Sequence, residues 1–174
     1  SVKDLVRVRG WVVRYGSRTT DDAACGDDAP AIARLRAAGA VLTGLTTSPE
    51  FGWKAVTDSA LTGATRNPYD AALTPGGSSG GAAVAAAVGA GPLHIGTDGG
   101  GSIRVPCSFT GCVGIKPSFG RVPAHPPSPF GTVSHLGPMT RSVSDAALML
   151  SVMAGRDVRD WHLAWDPELE LDML

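Results

Sequence analysis

Lys3-Asp4, the run Gly76-Gly77-Ser78-Ser79-Gly80-Gly81 and the run Gly96-Thr97-Asp98-Gly99-Gly100-Gly101-Ser102-Ile103-Arg104 hold the residues of this chain best suited to chemistry. They supply a lysine, candidate serines in both glycine runs, and a cluster of glycines beside the second. A serine hydroxyl attacks a carbonyl only after a base takes its proton. A lysine acts as that base only when neutral, so its pKa must fall from about 10.4 through burial or nearby positive charge. A second serine between lysine and nucleophile can pass the proton along and keep charge away from the scissile bond. Glycines at 99, 100 and 101 let backbone N–H groups converge on a developing oxyanion, since no Cβ blocks the approach, and the Ser102 amide completes the set. Asp98 and Arg104 flank this loop and read as supports that tie it down, with Ser79 a supporting neighbour of Ser78.

The elements that must position these residues follow an α/β rhythm. Asp28 to Ala38 reads as a helix capped by Asp27 or Asp28, with Pro30 in its first turn and Gly39 at its end. Ala40 to Leu45 reads as a short apolar strand. Asn67-Pro68 and Thr74-Pro75-Gly76 are turn chemistry. Ser79 to Ala90 reads as an alanine-dense helix and Leu93 to Gly96 as a strand. Gly99 to Gly101 break that strand before a short helix starting at Ser102. Val113 to Lys116 is a further strand, and the proline-rich stretch from Pro123 to Pro129 is a surface loop. Ser144 caps a last helix, Asp145 to Ala154, whose buried side is Ala147, Leu148 and Leu150 to Met153, and Gly155 closes it. The stretch from Trp161 onward carries no clear assignment.

Composition limits the alternatives. A chain of 174 residues with 43% apolar and 18% charged residues is ordinary for one globular domain. The net charge of -1 gives no electrostatic case for nucleic acid or an anionic membrane. The apolar run from Gly80 to Pro92 is too short and small-residued to span a bilayer. Cys25, Cys107 and Cys112 form no paired framework and lack metal-ligand spacing, so free thiols in a reducing, cytoplasmic setting are the simplest reading, with no metal. Gly-x-Ser-x-Gly occurs twice in the first glycine run, which raises a nucleophile-elbow hydrolase. That chemistry also needs an acid and a histidine, and His94, His125, His135 and His162 sit in no recognisable setting for it. Only Lys3, Lys54 and Lys116 are lysines, and none follows a serine by three positions, so the Ser-x-x-Lys pattern is absent. No phosphate-cradling Gly-x-x-x-x-Gly-Lys run exists, and around Gly89 a dinucleotide fingerprint fails because His94 takes its last position.

The wording and spacing of the three motifs resemble the amidase signature family, over residues 1 to about 160. That resemblance implies an α/β fold, a mixed β-sheet covered by helices on both faces, incomplete in this chain. The start at Ser1 and the length of the family's members make a fragment the expectation: 1–160 as a partial domain, 161–174 as a tail. By motif, Lys3 is the base, Ser78 the bridge following a cis peptide bond, and Ser102 the nucleophile. The activity implied is hydrolysis of a small-molecule carboxylic amide through an acyl-enzyme, with no cofactor. The family also includes the glutamine-hydrolysing component of a tRNA-dependent transamidation complex, which would bring partner subunits. The remaining expectations are a homodimer and an inactive scaffold. The loop from Pro123 to Phe130 and the segment from Glu50 to Trp53 are the expected entrance to the site.

Overall fold

The computed structural model describes residues 1–162. Seven short strands and four helices follow one another: β1 (Val2–Lys3), α1 (Pro30–Ala37), β2 (Leu45–Thr46), β3 (Asp58–Ser59), β4 (Gly63–Ala64), α2 (Gly80–Ala87), β5 (Leu93–Asp98), α3 (Arg104–Thr110), β6 (Val113–Gly114), β7 (His135–Thr140) and α4 (Val143–Met153). Five of the strands form one sheet in the order β2-β1-β5-β7-β6, and β3 with β4 make a small separate ladder. β1 runs parallel to both β2 and β5, whereas β7 is antiparallel to β5 and β6. The sheet is therefore mixed, and its parallel strands are linked by crossovers carrying helices.

Side-chain alternation sends the two sides of the sheet to two different cores. On one side Val2, Ile95 and Leu136 pack with Ile32 and Leu35 of α1 and with Met149, Leu150 and Met153 of α4. On the other, Ala82 and Ala83 of α2 meet Ile103, Cys107 and Met139. Helices thus cover both faces. α2 contributes only small side chains to the second core and so approaches the sheet closely: Ala82, Ala83 and Ala86 are all fully buried. Lys3 follows Val2 on β1 and points to the α2 side, where it is fully buried.

Several local details differ from the sequence reading, each for a visible reason. The residue at the start of α1 is Ala29, with no side-chain cap. Asp28 instead accepts the Arg9 N–H at 2.7 Å and pairs with Arg36 at 3.0 Å. The α4 cap is Ser142, not Ser144; it accepts the Asp145 N–H at 3.1 Å. Along the helix Leu148 and Ser151 face outward, while Ala146 and Met149 lie inside. The strand expected at Ala40 to Leu45 shrinks to Leu45–Thr46. β7 has no counterpart in the sequence reading, since Gly137 and Pro138 in its middle argue against a strand. Beyond the β6 pairs with Met139 and Thr140, Pro138 serves that edge as an acceptor only, its carbonyl taking the Ile115 N–H at 3.1 Å. No described helix is long and apolar enough to cross a membrane. Of the expected 161–174 tail, residues 163–174 lie outside the described residues.

Candidate active site

The ends of two parallel strands carry the site. Lys3 closes β1 and Thr97-Asp98 close β5, so both deliver their side chains to the same edge of the sheet, the usual place for a site in such sheets. The third contributor is the loop entering α2. There the Gly77–Ser78 peptide bond is cis. A side chain at Gly77 would meet the Val56 backbone at 2.7 Å, so only glycine lets the chain pass here.

Lys3 Nζ donates to three hydroxyls: Ser78 Oγ at 2.6 Å, Thr97 Oγ1 at 2.8 Å and Ser79 Oγ at 2.9 Å. Among the described residues no carboxylate pairs with it. Burial without a counter-ion disfavours the ammonium, and this lowers the Lys3 pKa to about 7, although the Asp98 carboxylate pulls the other way. The hydrogens of the cluster can be assigned from its geometry. Ser79 Oγ donates to Thr97 O at 3.1 Å and accepts the Thr97 N–H at 3.2 Å, so towards Lys3 it can only accept. When Lys3 is neutral, its lone pair must take a proton from Ser78 or Thr97. Ser79, at the start of α2, makes no helix-capping bond, because its hydroxyl is committed to this cluster.

The second glycine run is organised by Asp98. This fully buried carboxylate accepts the N–H groups of Gly101 (2.7 Å), Ile103 (3.1 Å) and Arg104 (3.3 Å), and the Arg104 guanidinium grips it through Nε (3.0 Å) and a terminal nitrogen (2.9 Å). Burial alone would raise its pKa, but the guanidinium and the converging amides hold it down at about 2. Gly101 sits at φ +118, a conformation strained for other residues. Its N–H is taken by Asp98, so it is not available to a ligand. Among the described residues the N–H groups of Gly99, Gly100 and Ser102 find no acceptor. The two serine segments are tied directly, the Ser79 N–H donating to Ser102 O at 3.2 Å.

Ser78, Ser102, Gly99 and Gly100 line one cavity of about 400 Å³. The structure thus brings together Lys3, Ser78, Ser79, Asp98, the glycines and Ser102, with Arg104 behind them. Asp4, next to Lys3, faces away and accepts the Arg14 and Gly16 N–H groups at 2.8 Å each, which fixes the turn after β1. Sequence reasoning missed Thr97 as a partner of Lys3. The signal was its place at the end of β5, where a parallel neighbour brings the β1 lysine alongside. The four histidines stay apart from the two serines, and His94 is buried, with its pKa lowered to about 4 by that burial. Among the described residues no group of His, Cys, Asp and Glu is placed to hold a metal ion.

The family model described as Amidase matches residues 1–171. A glutamyl-tRNA(Gln) amidotransferase subunit from Nitratidesulfovibrio vulgaris (strain DP4) is 45% identical over 166 residues, which is 92% of this chain and 33% of that protein. Among solved structures, 6-aminohexanoate cyclic dimer hydrolase superposes with a TM-score of 0.91 at 36% identity, covering 96% of this chain and 36% of that one. A bacterial aryl acylamidase of the amidase signature enzymes gives 0.82 at 37% identity, with 94% and 35% covered. The chain therefore spans about a third of the length of the relatives it matches. With nearly all of its residues matched by the family model, the chain belongs to the amidase family.

Proposed function

We propose that this chain carries the serine–serine–lysine centre of an amide hydrolase, with Ser102 as nucleophile, Ser78 as proton bridge and Lys3 as base. The observation that carries the reading is the buried Lys3 amine held by Ser78 at 2.6 Å with no carboxylate partner among the described residues, burial lowering its pKa to about 7 so that neutral amine is present near physiological pH. Ser78 gives its proton to the Lys3 lone pair and takes the Ser102 proton in turn. The Ser102 oxygen attacks the carbonyl carbon, and the carbonyl π electrons move onto oxygen. That oxyanion is stabilised by the N–H groups of Gly99, Gly100 and Ser102. As the tetrahedral species collapses the C–N bond breaks, and the departing nitrogen receives the proton returned from Lys3 through Ser78. Water then repeats the sequence on the ester, releasing acid and free serine. No step requires a metal or organic cofactor, and a cytoplasmic, reducing setting suits the free thiols.

Ser102→Ala should lower hydrolysis of p-nitroacetanilide by about 10⁴-fold or more while leaving the melting temperature unchanged. Unchanged turnover would contradict the nucleophile assignment. A second reading, supported by identity to the glutamyl-tRNA(Gln) amidotransferase relative, is release of ammonia from glutamine for a partner protein. Ammonia production from glutamine in preference to anilide hydrolysis would favour it.

A further inference from the structure

The wall opposite the glycine loop is aromatic. Trp53 and Phe130, from the two segments on either side of the mouth, stack face to face with centroids 5.2 Å apart and planes 11° apart. Trp53 is nevertheless 75% exposed, so its ring is held at the opening and not in the core. Phe51 stands beside them. Its backbone has φ 51, unusual for a side chain of this size, and is held there by a hydrogen bond of its N–H to Tyr15 O at 2.7 Å. The next residue brings this segment against the nucleophilic cluster: a Cβ on Gly52 would lie 3.3 Å from Ser78 Oγ. Leu5, Val105 and Val133 complete the apolar lining.

Charge is nearly absent from this cavity. The only ionisable side chain lining it among the described residues is Lys54, whose amine pairs with Asp58 at 3.1 Å. Among the described residues nothing there offers an unpaired carboxylate to an α-ammonium group or an unpaired cation to an α-carboxylate. A flat, neutral group would instead slide against the aromatic rings, which favour offset stacking.

Resting on the amide-hydrolase reading above, we infer that the cavity selects a neutral amide bearing an aromatic group, seated against Phe51 and the Trp53–Phe130 stack, over the zwitterion glutamine. Titration of the full chain followed through its tryptophan indole N–H resonances tests this, with Trp53 identified by Trp53→Phe. Benzamide should shift the Trp53 signal with a Kd at least tenfold lower than acetamide or glutamine. Phe130→Ala and Phe130→Leu should each weaken benzamide at least fivefold, the second keeping apolar volume while removing the stack. Binding is read without turnover, so a wrong nucleophile assignment would leave this result standing. Glutamine binding as tightly as benzamide, no benzamide shift at Trp53, or unchanged benzamide affinity in both Phe130 variants would overturn the inference.

Discussion

Lys3 is costly to bury and useful because it is costly. An ordinary lysine titrates near 10.5, and burial brings this one to about 7. Between those values the unfolded chain holds a proton that the folded chain has released, so stability rises with pH across the interval and the burial cost is greatest below pH 7. Lys3→Met, which removes the titrating group, should show none of this slope. Urea denaturation of both proteins from pH 6 to 10 should therefore give a difference that grows in favour of the parent by up to about 1.4 kcal/mol per pH unit above 7. Parallel curves would mean that Lys3 is not buried as an amine. Activity follows the same titration from the other side: it should rise through pH 7 and level off as Lys3 becomes neutral. Lys3→Arg keeps the charge but cannot serve as a base, and should be inactive at every pH tested. If Ser78 and Lys3 act as one relay, Ser78→Ala/Lys3→Met should be no slower than the worse single variant. Multiplicative losses would separate them.

At the scale of elements, the loop between β5 and α3 is a rigid device built on one carboxylate. Asp98 gathers the amides of Gly101, Ile103 and Arg104, and the neighbouring glycines differ in what they tolerate. A Cβ at Gly100 meets no atom within 4 Å, whereas at Gly101 it would lie 2.9 Å from Val105 Cγ2 in a backbone already at φ +118. Gly101→Ala should thus cost about 1–3 kcal/mol and much of the activity, while Gly100→Ala should leave the melting temperature nearly unchanged. Thermal unfolding of the two variants side by side checks this, and equal destabilisation would contradict it. The same scale shows how far the sequence could be read. The glycine runs, the alanine-rich helix and the order of α and β segments are legible because glycine and alanine spacing reports close packing directly. Strand β7 is hidden by Gly137 and Pro138, which are held in the sheet by long-range partners, the β5 strand on one side and the Ile115 N–H on the other. The α4 cap is ambiguous because Ser142 and Ser144 have equal capping chemistry and only tertiary packing chooses between them.

For the whole molecule, the sheet order brings together residues that lie far apart in sequence. β1 is inserted between β2 and β5, so a lysine from the first residues of the chain meets Ser78, Ser79 and Thr97. The two-sided packing explains the division of labour: a large aliphatic core under α1 and α4 holds the strands, and the alanines of α2 on the other side let backbone and hydroxyls crowd around one amine. Motif wording points to Lys3, Ser78 and Ser102 from sequence alone, but the third hydroxyl on Lys3 and the aromatic mouth depend on strand pairing and loop stacking that no local pattern encodes. The central claim is that Ser102 becomes nucleophilic only through a buried neutral lysine. Reaction with a fluorophosphonate, in which a serine oxygen displaces fluoride from phosphorus, tests it most directly when the rate is followed against pH and the adduct is located by mass spectrometry. The adduct should lie on Ser102, and its rate should rise through pH 7 to a plateau that disappears in Lys3→Arg. An adduct on Ser78, or a Ser102 rate indifferent to Lys3, would contradict the account.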